Sequence, residues 1–346
     1  MCNKKAGNFE IKKQKQVKEI LLERKTSFLK EVKDSTFIFD NTIQQSIKRI
    51  LSKIYISNTQ INHDDFYFVI NKSMIPNAAC YGNGIFSINV GLFTLVENDD
   101  ELAFIICHEL AHHILKHNDK SINEYIDTYN SKDTKHQINK AVNQTYGRRA
   151  AVSALLKDLE YNFMKQNRSS EIQADSLGFV LFNKTNYNKQ AAVTVLKKLD
   201  ISNSIFFNTS PDLKQNFDFK EYPFKEAWMN ADEKLFNIKE SADDLKFNKD
   251  SLRTHPDIPL RIEKLTANFK FSSTNPTTSE FSKLQKKAFE SSVKIYFDDL
   301  RLDFALYQLL SLHQKNEIPE AEFCNSVAYL FKKVYLLKEK HTFGKM

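Results

Sequence analysis

The alternation of apolar and polar residues predicts a mostly helical chain with one short stretch of strands. Apolar residues recur at helical spacing over residues 9–33 and 41–56. Residues 66–70 and 84–90 are short runs rich in β-branched and aromatic side chains, which is typical of strands. The most apolar helix is predicted over residues 99–117, and it should be buried because it is apolar on most of its faces.

Helices are also predicted through the second half of the chain. Their predicted positions are residues 148–165, 168–182, 189–200, 280–298, 301–315 and 318–338. The stretch 118–146 is polar and rich in asparagine, so we expect a surface excursion there. The pattern as a whole predicts an α+β fold that is mostly helical and has a small β-sheet.

Three parts of the chain are distinguished by the same pattern. We expect an N-terminal helical region at residues 1–60, a central domain at 61–270 and a C-terminal helical extension at 271–346, with a polar Ser-Ser-Thr-Asn-Pro segment at 272–276 marking the second boundary. Residues 203–253 combine many aromatic with many charged residues and are predicted to be an insertion in the central domain. Long insertions beside a site often form lids, and the alternative is an ordinary subdomain with aromatic packing.

The buried helix contains a His-Glu-x-x-His motif at His108, Glu109 and His112. Residues four apart lie on one face of an α-helix, so the two imidazoles can share a small cation. Zinc accepts such nitrogen ligands, and Glu109 beside them would be placed to take a proton from the attacking water. The motif predicts a zinc peptidase, and the alternative is a helical interaction protein with coincidental histidines.

Two further histidines follow the motif. On an unbroken helix, His113 and His117 lie about 100° and 140° away from the ligand face, so both are predicted not to bind the metal. A catalytic zinc still needs a third protein ligand. The metzincin pattern would place Gly and His after the motif where this chain has Leu115 and Asn118, which excludes that class.

Glu171 and Asp175 are the next candidates for the third ligand. They share one face of the predicted helix at 168–182. One carboxylate can bind zinc while the other accepts the free ring N–H of a histidine ligand and fixes its orientation. Without the upstream motif, such a pair on a helix would indicate only a solvated surface.

Several segments, taken together and in order, resemble the gluzincin peptidases of family M48, which include HtpX-like, Oma-like and CAAX prenyl endopeptidases. The segments are His108-Glu109-x-x-His112, Glu171-x-x-Ala174-Asp175, Thr254-His255-Pro256, Arg261-Ile262, Pro76-Asn77-Ala78-Ala79 and Gly84 to Leu92. The match covers roughly residues 60–270. The resemblance implies a zincin-type catalytic domain in which the small β-sheet packs on the active-site helix at 99–117, with helical N- and C-terminal extensions in this chain.

The resemblance also implies roles for the motif residues. His108, His112 and Glu171 would bind one Zn²⁺ per chain, Glu109 would be the general base and acid, and Asp175 would hold a histidine ligand.

Two roles stay open on the resemblance. His255 would be either a zinc ligand in a resting state that must leave or a donor to the oxyanion. Arg261 would either help neutralise the oxyanion or cap a helix.

A strand near the motif is expected to bind substrate. The resemblance identifies Ile85, Phe86, Ser87, Ile88 and Asn89 as an active-site edge strand, and such an edge can hold an extended peptide by main-chain hydrogen bonds. We therefore expect a zinc endopeptidase that acts on extended or unfolded protein segments, in protein quality control. The alternative is a binding or chaperone-like protein that keeps the scaffold but is held shut by His255.

Charge and hydropathy limit the partners of the chain. The net charge is +7, and lysines at positions 4, 5, 12, 13, 15 and 18 alternate with apolar residues near the N-terminus. They indicate either a solvated helix face or a contact with an anionic membrane surface. No segment matches a nucleic-acid-binding module or has the roughly 18 apolar residues of a membrane span. We expect the C-terminal helices to be a cap or a docking site for a partner.

The compartment is predicted in two ways. Taken literally, the N-terminus has no apolar leader, which indicates the cytoplasm. Cys2 followed by Asn-Lys-Lys instead looks like the start of a mature bacterial lipoprotein, and the resemblance favours the cell envelope with an anchor at Cys2. The scattered Cys80, Cys107 and Cys324 have no Cys-x-x-Cys spacing and do not indicate a disulfide framework or a cysteine metal site.

Overall fold

A computed structural model describes most of the chain. The described residues are 2–82, 84–143, 148, 168–202, 211–229, 258–271 and 280–342. Their helices are α1 Cys2–Ala6, α2 Gln14–Lys33, α3 Asn41–Ser57, α4 Val90–Leu95, α5 Asp99–Ile114, α6 His117–Asn130, α7 Lys132–Val142, α8 168–183, α9 Ala191–Asp200, α10 Leu213–Phe217, α11 Ile258–Asn268, α12 Phe281–Asp298, α13 Leu302–Gln314 and α14 Glu320–Glu339. The strands are β1 Phe37–Ile38, β2 Tyr67–Asn71, β3 Ala78–Gly82 and β4 Ile85–Asn89. The expected fold, mostly helical with a small sheet, is confirmed.

The four strands form one sheet in the order β1-β2-β4-β3. β4 pairs in parallel with β2 and antiparallel with β3. The expectation that residues 85–89 form an edge strand is therefore wrong, because both sides of β4 already carry strand partners. The open edge on this side is β3, which the apolar pattern missed because its sequence Ala-Ala-Cys-Tyr-Gly has little β propensity.

α5 lies in the centre of the molecule. Every residue from Asp99 to Ala111 is buried. One continuous apolar core joins α3, the sheet, α4, α5, α8, α9 and α11 with the three C-terminal helices α12, α13 and α14. The C-terminal helices thus share the core that supports the His-Glu-x-x-His helix, and the predicted domain boundaries stay predictions.

α5 is held at its N-terminal end by polar contacts as well as by packing. The Asn98 side chain accepts a hydrogen bond from the Glu101 backbone N–H, which caps the helix. The buried Glu101 carboxylate pairs with Lys198 of α9 at 2.7 Å, and Asp99 accepts from Arg49 of α3 at 2.9 Å. These pairs fix α5 against α3 and α9, so the histidines further along it sit on an anchored helix.

α5 ends earlier than the pattern predicts, and the next stretch is more ordered. Lys116 adopts the left-handed conformation, with φ 56° and ψ 37°, and α6 begins directly after it at His117. The polar stretch expected to be a surface excursion forms α6 and α7. Ile122 and Ile126 of α6 are buried against α1 and α2, so a few apolar contacts hold α6 in place.

The N-terminal helices pack on α6 and on one end of β3. Lys13 lies 2.6 Å from Asp127, and Lys5 lies 3.0 Å from Asp119, so two of the basic N-terminal residues form ion pairs within the chain. From α2, Glu31 accepts a hydrogen bond from the Tyr81 hydroxyl at 2.7 Å. α2 thus covers the C-terminal end of the edge strand.

The described part of the predicted insertion, residues 211–229, contacts the C-terminal helices. Asn216 Oδ1 lies 3.0 Å from His313 Nδ1, and the Phe217 ring lies 5.8 Å from that of Phe331. The rest of the predicted insertion lies outside the described residues. Within the described part of the chain, no helix is long and apolar enough to cross a membrane.

Candidate metal centre

α5 and α8 bring three potential metal ligands together. His108, His112 and Glu171 each offer one ligand atom, and these three atoms all lie within 4.8 Å of one another. The Nε2 atoms of the two histidines are 3.0 Å apart, and Glu171 oxygens lie 3.4 Å from His108 Nε2 and 3.2 Å from His112 Nε2. His108 and Glu171 are each only 4 % exposed. The two helices that carry the predicted ligands, α5 and α8, therefore bring them together in one small, buried volume.

A close helix contact sets the distance between these ligands. Gly178 of α8 packs directly on the backbone of His108, and a Cβ built on Gly178 would lie 2.9 Å from His108 Cα. Any larger side chain here would push the two helices apart. Glycine at this position therefore keeps the Glu171 carboxylate within reach of the histidines.

We expect Gly178→Ala to lower the free energy of unfolding by about 1–3 kcal/mol, because overpacking a tight contact forces backbone shifts. Urea denaturation of the metal-free protein measures this change. Ser176→Ala, at a half-buried position two residues earlier in α8, is the matched control and should change stability far less. Equal stability of Gly178→Ala and the parent would show that the contact is not rigid.

Asp175 and Arg261 form a buried network behind the ligands. Asp175 Oδ1 lies 2.9 Å from His108 Nδ1, and the Arg261 guanidinium donates two hydrogen bonds of 2.7 Å to the Asp175 carboxylate. Arg261 Nη1 also lies 3.1 Å from Glu171 Oε2. Arg261 sits on α11 and is only 3 % exposed, so its guanidinium is held by the two carboxylates. These contacts connect Arg261 to the ligand set, and its expected role at an oxyanion stays a prediction.

The buried charges favour a cation at the centre. Burial alone would lower the pKa of His108, but hydrogen bonds to Asp175 and Glu171 outweigh it and raise this pKa to about 10. Burial also acts on Asp175, yet the neighbouring Arg261 keeps the pKa of that carboxyl below its ordinary value. When His108 gives up one ring proton and binds a metal as a neutral imidazole, three buried carboxylates, those of Glu109, Glu171 and Asp175, face one buried guanidinium. A divalent cation matches the excess of negative charge, so the donor set fits a metal.

Glu109 lies beside the ligands and lines a small cavity. The cavity has a volume of about 30 Å³. Its other lining residues, most of them apolar, are Pro76, Asn77, Ala78, Leu92, Phe104, Ile105, His108, Val195, Leu196, Leu199 and Arg261. Asn77 and Ala78 belong to the start of the β3 edge, so the edge strand, the cavity and Glu109 meet at one place.

His117 contacts His112, which the helical spacing does not predict. Its Nδ1 lies 2.9 Å from His112 Nδ1, and its Nε2 lies 3.3 Å from Gln173 Oε1. Burial and the adjacent His112 lower the pKa of His117 to about 4. The predicted angle of about 140° assumes one unbroken helix, whereas the left-handed Lys116 turns the chain back toward His112. His113 instead points to the sheet, with its ring 5.2 Å from that of Phe66.

The remaining predicted site residues divide into two groups. Phe86, Ser87 and Ile88 are buried in the middle of the sheet, and Ile85 and Asn89 are half-buried at its ends. As a central strand, β4 supports the edge strand and has no free edge of its own. His255 lies outside the described residues, so its two expected roles both stay predictions.

Comparison with known proteins agrees with this geometry. The family model for peptidase family M48 matches residues 40–268, which include α5, α8 and α11. The chain belongs to peptidase family M48. It is also similar to the mitochondrial metalloendopeptidase OMA1 of Arabidopsis thaliana, with 25 % identity over 173 residues. That match covers 49 % of this chain and 33 % of the relative, so the chain matches about one third of the relative's length.

Membership of family M48 confirms the resemblance seen in the motifs. It identifies the protein as a member of a metallopeptidase family, and the buried His108, His112 and Glu171 group is compatible with the metal that such a family requires.

Proposed function

We propose that this M48 protein is a zinc-dependent endopeptidase that hydrolyses peptide bonds in extended or unfolded protein segments. The observation that carries the proposal is the convergence of His108, His112 and Glu171 next to the buried Glu109. Two neutral imidazoles and one carboxylate are a ligand set found in catalytic zinc sites. Three protein ligands leave a fourth position open, which distinguishes a catalytic site from a structural one.

Each residue of the site has a distinct task. His108, His112 and Glu171 would hold the zinc, and Asp175 would accept a hydrogen bond from the Nδ1–H of His108 and fix that ring. When bound, the metal supplies Lewis-acid activation of a peptide carbonyl and of the attacking water. Glu109 would take the proton of the water and later deliver it to the leaving amine. Because Glu109 follows His108 directly in α5, the same helix positions ligand and base.

The edge strand β3 supports an extended substrate. The Asn89 N–H donates a hydrogen bond to the Asn77 carbonyl at 2.9 Å, so Asn77 and Asn89 are a hydrogen-bonded pair. Hydrogen-bonded and non-hydrogen-bonded pairs alternate along antiparallel strands, so the main-chain groups of Ala78 and Cys80 point away from β4. The Cys80 carbonyl already accepts a hydrogen bond from Asn118 Nδ2 at 3.0 Å. Ala78, which also lines the cavity at Glu109, is therefore the position where a peptide strand can pair next to the base.

The substrate class follows from this mode of binding. A peptide bond can reach an edge strand in a cleft only if its chain is extended, and a folded protein keeps its backbone groups in its own structure. We infer that unfolded segments are the substrates, which fits a function in protein quality control.

Metal removal tests the proposal. We expect a chelator to abolish cleavage of a reduced, unfolded protein by the purified chain, because the site loses its Lewis acid, and we expect added Zn²⁺ to restore it. Cleavage is followed by gel electrophoresis and by mass spectrometry of the new termini. His112→Ala should be inactive with or without Zn²⁺, whereas the matched His113→Ala should stay active and sensitive to chelator. Cleavage that persists at full rate in chelator would contradict the proposal.

A further inference from the structure

A buried histidine outside the ligand group contacts one of the ligands. His117 is the first residue of α6 and is only 6 % exposed. Its Nδ1 lies 2.9 Å from Nδ1 of His112, and its Nε2 lies 3.3 Å from the amide oxygen of Gln173 on α8. His112 directs its Nε2 toward Glu171. Its other ring nitrogen, Nδ1, faces His117, and His117 in turn contacts Gln173.

The backbone places His117 there by a specific turn. Lys116, at φ 56°, interrupts the helical path, and its N–H bonds to His113 O at 2.9 Å. A left-handed conformation is costly for a residue other than glycine, so the surrounding structure must favour it. In a continuous helix the His117 side chain would lie about 140° around the axis from His112. The turn brings the two rings to a centroid separation of 4.9 Å.

The direction of each hydrogen bond is fixed once His112 binds a metal through Nε2, the atom that lies 3.2 Å from Glu171. Nδ1 of His112 then carries the proton and donates a hydrogen bond to Nδ1 of His117. His117 in turn carries its proton on Nε2 and donates to the Gln173 oxygen. The Gln173 amide nitrogen lies 3.3 Å from Ser169 Oγ, which orients the glutamine with its oxygen toward His117. Every link therefore has one donor and one acceptor.

We infer that His117, anchored by Gln173, is a positioning residue that holds His112 in the tautomer and ring orientation needed to bind the metal. The inference rests on the proposed metal site. It means that the two histidine ligands are held by different partners, the charged Asp175 for His108 and the neutral His117 for His112. Loss of such a partner typically weakens metal binding about 10–100-fold.

The test measures the Zn²⁺ dissociation constant of the purified full chain by competition with a fluorescent chelator. We expect His117→Leu, which fills the space but accepts no hydrogen bond, to weaken binding about 10–100-fold. His117→Gln can accept from His112 and donate to Gln173, so we expect it to recover most of the affinity. His113→Leu, at the neighbouring histidine that faces the sheet, is the matched control and should bind as the parent does.

Different outcomes would contradict the proposed function and the role of His117. A parent chain that binds no Zn²⁺ would overturn the proposed function itself. If the parent binds Zn²⁺, parent-like affinity of His117→Leu would overturn the inference alone, as would an equal loss in His113→Leu. Thermal unfolding of the metal-free variants shows whether they fold. If His117→Leu does not fold, Gln173→Leu on the exposed face of α8 is the variant to measure. We expect it to weaken Zn²⁺ binding roughly 10-fold. Parent-like affinity of Gln173→Leu would overturn the inference.

Discussion

Glu109→Gln is expected to lower the rate of peptide-bond hydrolysis by about 10²–10⁴-fold while the chain keeps its metal. The amide has nearly the shape of the carboxylate but cannot take a proton from water. Glu109 is 4 % exposed and lines the cavity next to His108, so few other groups can replace it. The measurement is the initial rate of cleavage of an unfolded protein, together with the metal content of each sample.

The control for this variant is Glu97→Gln, which removes a carboxylate just before α5 whose side chain is 69 % exposed. It should cleave at the parent rate. Full activity of Glu109→Gln would contradict the assignment of the base. Binding of unfolded protein without cleavage, by the parent and by Glu109→Gln alike, would instead favour the binding or chaperone-like alternative.

Arg261→Met should destabilise the metal-free protein by about 3–5 kcal/mol, because it leaves buried carboxylates without their partner. Arg261 donates two hydrogen bonds to Asp175 and contacts Glu171, and all three side chains are almost fully buried. Methionine has a similar length but no charge, so the change removes the interaction while it retains much of the packing. Urea denaturation in the presence of a chelator measures the free energy of unfolding.

Arg301→Met provides the matched comparison. Arg301 pairs with Asp303 at 3.3 Å, but both side chains are about one third exposed. Exposed ion pairs contribute at most about 1 kcal/mol, so this variant should remain close to the parent. A similarly small change for Arg261→Met would show that water or neighbouring groups compensate the buried carboxylates.

The motifs allowed the candidate ligands to be predicted because their geometry is local. His108 and His112, like Glu171 and Asp175, are pairs four residues apart on one helix, and this spacing determines which side chains share a face. The resemblance to family M48 then connected the two helices, which periodicity alone cannot do. Similarly, the mostly helical class followed from the apolar pattern along α2, α3 and α5.

Non-local and backbone-dependent features could not be predicted in this way. The sequence favours residues 85–89 as the edge strand, whereas β3 is the edge strand in the structure. This difference depends on strand order, which no single strand sequence specifies. The contact between His117 and His112 depends on one left-handed residue, Lys116, a conformation that lysine seldom adopts. Gly178 gave no signal in the sequence either, because its importance comes from its contact with His108 in another helix.

The site is assembled from parts of the chain that are far apart in sequence. Asp175 and Arg261, which hold the ligands in place, are separated by 86 positions, and His108 precedes both. A ribosome releases the chain from the N-terminus onward, so the histidine pair emerges well before Arg261. The buried network of Asp175, Glu171 and Arg261 behind the ligands can therefore be completed only after α11 has docked on the core.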